Sequence, residues 1–305
     1  MNKLPAIPLR PSRSETFPYR EQVFFYGDVP VAYFDGGVPA APNGETLVFV
    51  HGLGANLTHF EYVAPPLAAD GYRVCGLDLP GFGLSGKPHR EYTIRYLSDA
   101  ILRLMDHLGI ERATLAGHSL GGLVVSDAAL RAPQRVERLV LISSAGLFRM
   151  PLPIRMAART IMRPGLLATA LERNARRLLD LVFSERNERT ERFIEQSVTR
   201  PDSRFCLDLA RVMCAASRDL TSYHLLRDVE RIKMPTLVIW GGRDRLLPFK
   251  PVPVWTQRLP DGELEVIERC GHMPIIEDPE RVVTRMRAFL GRSAQVRRAV
   301  ASRAS

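Results

Sequence analysis

Lysine is nearly missing from this chain of 305 residues, occurring only at Lys3, Lys87, Lys233 and Lys250. The formal net charge of +9 therefore comes mostly from arginine. Acidic residues are interleaved along the basic stretches, as on a solvated face, and no nucleic-acid recognition motif accompanies the charge, so nucleic acid is set aside as a partner. Cysteine is scarce as well. Cys75, Cys206, Cys214 and Cys270 lack metal-ligand or redox spacing and read as small buried hydrophobes. No metal and no cofactor is expected. Nothing approaches the roughly 18 apolar residues of a membrane span. Pro5, Pro8 and Pro11 interrupt the start, where the apolar core of a signal peptide would lie. These absences predict a cytoplasmic protein, monomer or homodimer, without stable membrane insertion.

What is present is ordinary for a globular protein, with 46% apolar and 25% charged residues. The length suits one large α/β domain with an insertion. After a Pro- and Ser-rich arm over 1–19, two strand-like runs flank Gly27-Asp28 and predict an antiparallel hairpin. The β-branched apolar run at 46–50 predicts a strand covered on both faces. A helix near 59–69, a strand over 72–77 and a helix from Ile94 to Leu108 follow; Thr93 is placed to cap that helix and Gly109 to end it. Strands at 112–115 and 136–142 enclose a small, apolar helix at 120–130. Strands alternating with helices imply a mostly buried parallel sheet.

From 147 to 232 the pattern changes. No strand-like run occurs there, and 16 arginines stand against 11 acidic residues. Pieces at 166–183 and 205–216 have helical apolar spacing, with Pro153, Pro164 and Pro201 as punctuation. Because the sheet pattern resumes at 236–240 and 263–267, the segment reads as a helical cap inserted over the sheet's C-terminal edge. A helix near 249–258 lies between those strands. The last helix is signposted by Asp278, Pro279 and an apolar stripe from Val282 to Leu290. The expected division is thus an irregular arm 1–19, a core 20–146 and 233–291, a cap 147–232 and a flexible tail 292–305.

The chemistry concentrates in Gly117-His118-Ser119-Leu120-Gly121. Gly-x-Ser-x-Gly between a strand and a helix has the mechanics of a nucleophile elbow, where a sharp turn lifts the serine hydroxyl above the sheet edge. Gly117 and Gly121 supply the room, since neither carries a Cβ. Alone the motif is weak, arising by chance in roughly one sequence of this length in ten. A serine hydroxyl needs a base at neutral pH, and histidine suits that role. Of the seven histidines, His272 falls in the loop after the last strand, at the edge where Ser119 stands. His118 adjoins Ser119 and is expected to point away from it. His51 supports the loop it begins, and His224 is structural or pocket-lining. The imidazole needs a carboxylate to fix its tautomer, and Asp244 closes the preceding strand at the same edge. Asp78 is expected to brace the Pro80-Gly81 loop. Backbone N–H groups of Leu120, at a helix N-terminus, and Leu53, in His51-Gly52-Leu53-Gly54, are the expected oxyanion donors.

These motifs, with Asp78-Leu79-Pro80-Gly81-Phe82-Gly83, Gly242-Arg243-Asp244 and Gly271-His272, occur in an order and spacing that resemble the α/β-hydrolase family over about residues 20–291. The resemblance implies a mostly parallel eight-stranded sheet with helices on both faces and a helical cap. It implies a serine hydrolase acting on a small-molecule acyl substrate through Ser119, Asp244 and His272. Similar capped members include carboxylesterases, lipases, meta-cleavage-product hydrolases and cofactor-free perhydrolases; a ligand-binding member that has lost turnover is the non-catalytic alternative. Haloalkane dehalogenases and epoxide hydrolases carry aspartate where Ser119 stands, which counts against both. Some members carry the acid after the strand following the elbow helix, but here that position reads Ser143-Ser144. Leu53-Gly54-Ala55-Asn56 departs from the Gly-Pro-Gly run of many carbon–carbon bond hydrolases.

Overall fold

A computed structural model describes residues 17–147, 152, 153, 156, 162–198 and 203–304. The expected arm therefore lies almost wholly outside the described residues; at its end Phe17 and Tyr19 pack on Phe34. β1 (Glu21–Tyr26) and β2 (Val29–Asp35) form the expected hairpin, with Gly27 at φ +62 taking the turn. β3 (Thr46–Val50), β4 (Arg73–Leu77), β5 (Ala113–His118), β6 (Val136–Ile142), β7 (Thr236–Gly241) and β8 (Gly262–Ile267) complete one eight-stranded sheet. Its order is β1-β2-β4-β3-β5-β6-β7-β8. β2 runs antiparallel to both neighbours, and all other pairings from β4 to β8 are parallel.

The period-two alternation along each central strand sorts the core into two layers. Val48, Val50, Leu115, Leu139, Leu141, Val238 and Trp240 face a layer closed by α2 (Ile94–His107) and α3 (Leu120–Arg131). Leu47, Phe49, Ala116, Val140, Ile142, Leu237 and Ile239 face the other layer, closed by α1 (Ala64–Ala69) and the C-terminal helix. α2 begins and ends as expected: Thr93 accepts from Tyr96 N–H, and Gly109 stands at φ +64.

Register aligns the strand ends. Val50 lies opposite both Leu77 and Gly117, and Ile142 opposite both His118 and Ile239. The loops after β3, β5, β6 and β7 therefore leave the sheet along one edge. The chain leaves β3 for β4 on one side and returns to β5 on the other, so this edge is a topological switch point, the place where open α/β sheets bind ligands.

The segment between β6 and β7 is helical where described, as α4 (Pro164–Asp180), α5 (Glu188–Val198) and α6 (Ser203–Leu220). α5 was not foreseen because it is mostly polar and buries little beyond Phe193 and Ile194. After β7 come α7 (Val252–Gln257) and, past β8, α8 (Pro279–Ala304).

Two expectations need correction. The helix expected near 59–69 is a 3₁₀ turn over Leu57–Phe60 followed by α1, because Pro65 and Pro66 fit only a first helical turn. The helix near 249–258 is shorter, as Pro251 stands just before its first residue and Pro253 within its first turn. The C-terminal helix continues as helical backbone to Ala304, over alanines and arginines, both good helix formers. Among the described residues no helix is long and apolar enough to cross a membrane, and all four cysteines are free and buried.

One charged pair is sealed into this framework. Arg138 on β6 donates from both terminal nitrogens to the carboxylate of Glu45, at 2.8 and 3.2 Å, with the side chains only 2% and 8% exposed. Arg138→Ala removes both of these charged bonds from the buried Glu45 carboxylate and is expected to cost about 3–5 kcal/mol. Guanidinium unfolding of parent and variant measures this directly, and a loss below about 1 kcal/mol, the scale of exposed pairs, would contradict a buried bridge.

Candidate active site

β5 delivers its chain to Ser119 with no slack. Ser119 has φ 54 and ψ −118, a conformation that costs a non-glycine residue about 1–3 kcal/mol. Its backbone is held on both sides: Ser119 N–H donates to Ile142 O at 2.9 Å, and Ser119 O accepts from Gly122 and Ala145. The neighbouring glycines are steric requirements. A Cβ on Gly117 would run into the Gly121 backbone, one on Gly121 into the carbonyls of Val50 and His51, and one on Gly122 into Ser144.

The structure brings Ser119, His272 and Asp244 together. His272 Nε2 lies 3.0 Å from Ser119 Oγ, and its Nδ1 lies 2.8 Å from Asp244 Oδ2. A carboxylate only accepts, so the proton sits on Nδ1 and Nε2 is free to accept from the serine hydroxyl. Asp244 has a fully covered side chain, and its other oxygen accepts from Leu246 and Leu247 N–H at 2.8 and 3.0 Å. Arg243 N–H donates to Cys270 O, joining the loop of the acid to that of the histidine.

Two further histidines support this group. His118, as expected, turns away from Ser119, and its Nε2–H donates to the backbone oxygen of His272 at 2.9 Å. His51 is completely buried; its Nδ1–H donates to Gly52 O at 2.8 Å, and its Nε2 accepts from Leu79 N–H at 2.9 Å. In a trans peptide the N–H points opposite to the carbonyl. Pinning Gly52 O therefore fixes the direction of Leu53 N–H, in a loop where a Cβ on Gly52 would lie 3.0 Å from Ser119 Cβ. Leu120 opens α3, so its N–H is one of the four a helix start leaves without an internal partner. Asp78 braces its loop through Leu57 N–H and Leu84 N–H, both at 2.7 Å.

Above these residues lies a cavity of about 1510 Å³, whose wall includes Leu53, Ser119 and His272 from the core and His224 from the segment between β6 and β7. The opposite wall is formed by Leu167, Leu171 and Leu179 of α4 and by Leu209 and Met213 of α6. Sequence reasoning missed Glu277, whose buried carboxylate accepts from Gly271 N–H next to His272. The available signal was an acid directly after the apolar run Met273-Pro274-Ile275-Ile276.

With this geometry established, the chain belongs to the alpha/beta hydrolase fold family, whose profile matches residues 45–279. It is 35% identical, over 81% of its length, to a dihydrolipoyllysine-residue acetyltransferase component of an acetoin cleaving system from Pseudomonas putida, and spans only 64% of that protein's length. It is 31% identical, over 81% of its length and 87% of the relative's, to a 2-hydroxy-6-oxononadienedioate/2-hydroxy-6-oxononatrienedioate hydrolase from Paraburkholderia phymatum. Among solved structures, a bacterial membrane phospholipase A superposes with a TM-score of 0.75 at 28% identity, covering 91% of this chain and 87% of that one.

The buried histidines impose a pH dependence on stability. Burial, reinforced by the neighbouring His272, drives His118 from 6.5 down to about 3, and burial also lowers His51. In the unfolded chain both return to about 6.5. Above pH 6.5 neither state carries the proton and the contribution is nil. Between pH 6.5 and 3 the unfolded chain binds a proton that folded His118 refuses, so stability falls as pH falls. For His118 alone the loss by pH 4.5 is about 2–3 kcal/mol. Melting at pH 7.5 and 4.5 should show a steeper drop for the parent than for His118→Gln, and identical drops would refute the assignment.

Proposed function

We propose that this protein is a serine hydrolase that cleaves a carboxylic ester through an acyl-enzyme. The observation that carries the reading is the continuous hydrogen-bond relay Asp244–His272–Ser119, at 2.8 and 3.0 Å, on the floor of the cavity. Ser119 Oγ attacks the ester carbonyl carbon while its proton passes to His272 Nε2. Asp244 stabilises the imidazolium so formed. The carbonyl oxygen becomes an oxyanion that the N–H groups of Leu53 and Leu120 receive, each such donor supplying about 3 kcal/mol. Collapse breaks the ester bond, and the proton on His272 goes to the leaving alkoxide. Water, deprotonated by the same nitrogen, then releases the acid and restores Ser119.

The helical segment 147–232 acts in this reading as a cap that shapes the acyl site. The cavity exceeds the roughly 300–1,000 Å³ of pockets for drug-sized ligands, and its cap wall is mostly apolar, with Arg204 and Asp208 among its polar members. Both features favour an extended apolar acyl group, and the likeness to a membrane phospholipase A agrees with it. A second reading, carbon–carbon bond hydrolysis by the same three residues, is favoured by the relative named as a 2-hydroxy-6-oxononadienedioate hydrolase.

Ser119→Ala is expected to lower turnover of a chromogenic ester by about a millionfold, and undiminished turnover would sink the proposal. Asp244→Asn preserves the shape of the contact but favours the wrong tautomer, and is expected to lower kcat by about 10⁴. A coloured dienoate run beside an aliphatic ester series separates the two chemistries: preference for the dienoate would favour the second reading.

A further inference from the structure

The backbone of His272 is tied to a segment outside the sheet. His272 N–H donates to Val182 O at 2.8 Å, in the segment joining α4 to α5. The residue before it, Gly271, donates to Glu277 Oε1 at 2.8 Å, and the other oxygen of Glu277 accepts from Ser184 N–H at 2.8 Å and Glu185 N–H at 3.0 Å. Asn187 Nδ2 donates to the Glu277 carbonyl at 3.0 Å. The approach is close enough that a Cβ on Gly271 would lie 2.7 Å from Val182 O and 2.8 Å from Ser184 N. One buried carboxylate, 4% exposed, thus bridges the histidine loop and the 182–187 segment with three backbone donors. Hydrogen bonds to an ionised acceptor are about twice as strong as neutral ones. The same segment reaches the cavity at Val182, next to Leu178 and Leu179 of α4 on the lining.

We infer that Glu277 is a positioning residue that makes the placement of His272 depend on the seating of residues 182–187, so that the wall of the acyl site and the base are set together. The inference rests on the reading of His272 as the base. Glu277 touches no reacting atom. It acts by holding the peptide before His272 at the height where Nε2 meets Ser119 Oγ. In Glu277→Gln the volume is kept, but one carboxylate oxygen becomes an NH₂ facing an N–H donor, so at least one of the three bonds is lost.

The test counts sites in one sample by labelling Ser119 with an active-site phosphonate, and in unlabelled samples measures kcat per titratable site, KM and amide exchange, for the parent and for Glu277→Gln. The parent must be labelled at Ser119; failure there defeats the hydrolase reading and not the role of Glu277. The expected result is full labelling of the variant, kcat per site lower by about 10²-fold, as for a base misplaced by about 1 Å, and little change in KM. Amide protection should fall together at Gly271, His272, Ser184 and Glu185. Unchanged kcat per titratable site overturns the inference, even if the labelled fraction falls, because that pattern belongs to a purely structural residue. Loss of protection at Gly271 alone also overturns it. Should Glu277→Gln fail to fold, Asn187→Ala loosens the segment without touching the carboxylate, and kcat per site must fall there too.

Discussion

The constraint on which the site depends is the closeness of β3, β5 and α3 around Ser119. Three polypeptide backbones approach within van der Waals contact there, because the positions that would hold side chains, Gly117, Gly121 and Gly122, hold none. The sheet can then turn into a helix within one residue, and that residue must take φ 54. Strain of this kind persists only where the surroundings over-determine it. Here they do: the serine's N–H and carbonyl are bonded to β6 and to the two segments that follow. The core strands do not themselves perform chemistry. They supply the rigidity that keeps one hydroxyl in an otherwise unfavourable place.

Around that point the polar groups are ordered by which nitrogen carries a proton. His51, His118 and His272 each donate from one ring nitrogen to an oxygen that only accepts, so all three tautomers are set by partners. For His51 and His118, burial enforces the neutral form. They therefore add hydrogen-bond direction without adding positive charge beside the imidazole that is proposed to become charged. A cation near His272 would lower its basicity, and a neutral donor such as His118 holds its backbone without that penalty.

The strands, the hairpin and the edge carrying Ser119, Asp244 and His272 were legible in the sequence because each rests on a local signal: β-branched runs, a Gly-Asp turn, and glycines around a serine. Their convergence was legible only through chain order. The 3₁₀ start before α1 was obscured because Pro65 and Pro66 are as compatible with a helix's first turn as with its absence. α5 was hidden by its polarity. The role of Glu277 was hidden for a different reason: beyond its place after an apolar run, its partners are backbone N–H groups, at 271 and at the distant 184 and 185, and these carry no side-chain signature. Backbone-mediated contacts leave little trace in residue type, whereas side-chain chemistry does.

The arginines between 147 and 232 could form a solvated face or meet an anionic acyl group, and the structure weighs the two unequally. On α4 the cavity side is Leu167, Leu171, Ala175, Leu178 and Leu179, while Arg176 reaches outward to Glu191 on α5 and Arg186 to Asp180 and Glu191. Such exposed pairs contribute little each, but they keep the outer face wet while the inner face stays apolar. Among the described arginines between 162 and 232, Arg204 alone is on the cavity wall, joined from the core by Lys87. Lys87 is committed elsewhere, donating to Gly83 O at 2.7 Å and Ser85 O at 3.2 Å, and burial lowers its pKa. An anionic acyl group would thus meet a largely apolar wall whose cations are the strongly held Lys87 and Arg204, with the acidic Asp208 also on the lining. The charge that dominates the composition belongs mainly to the solvated surface, and the cavity lining is apolar for the most part.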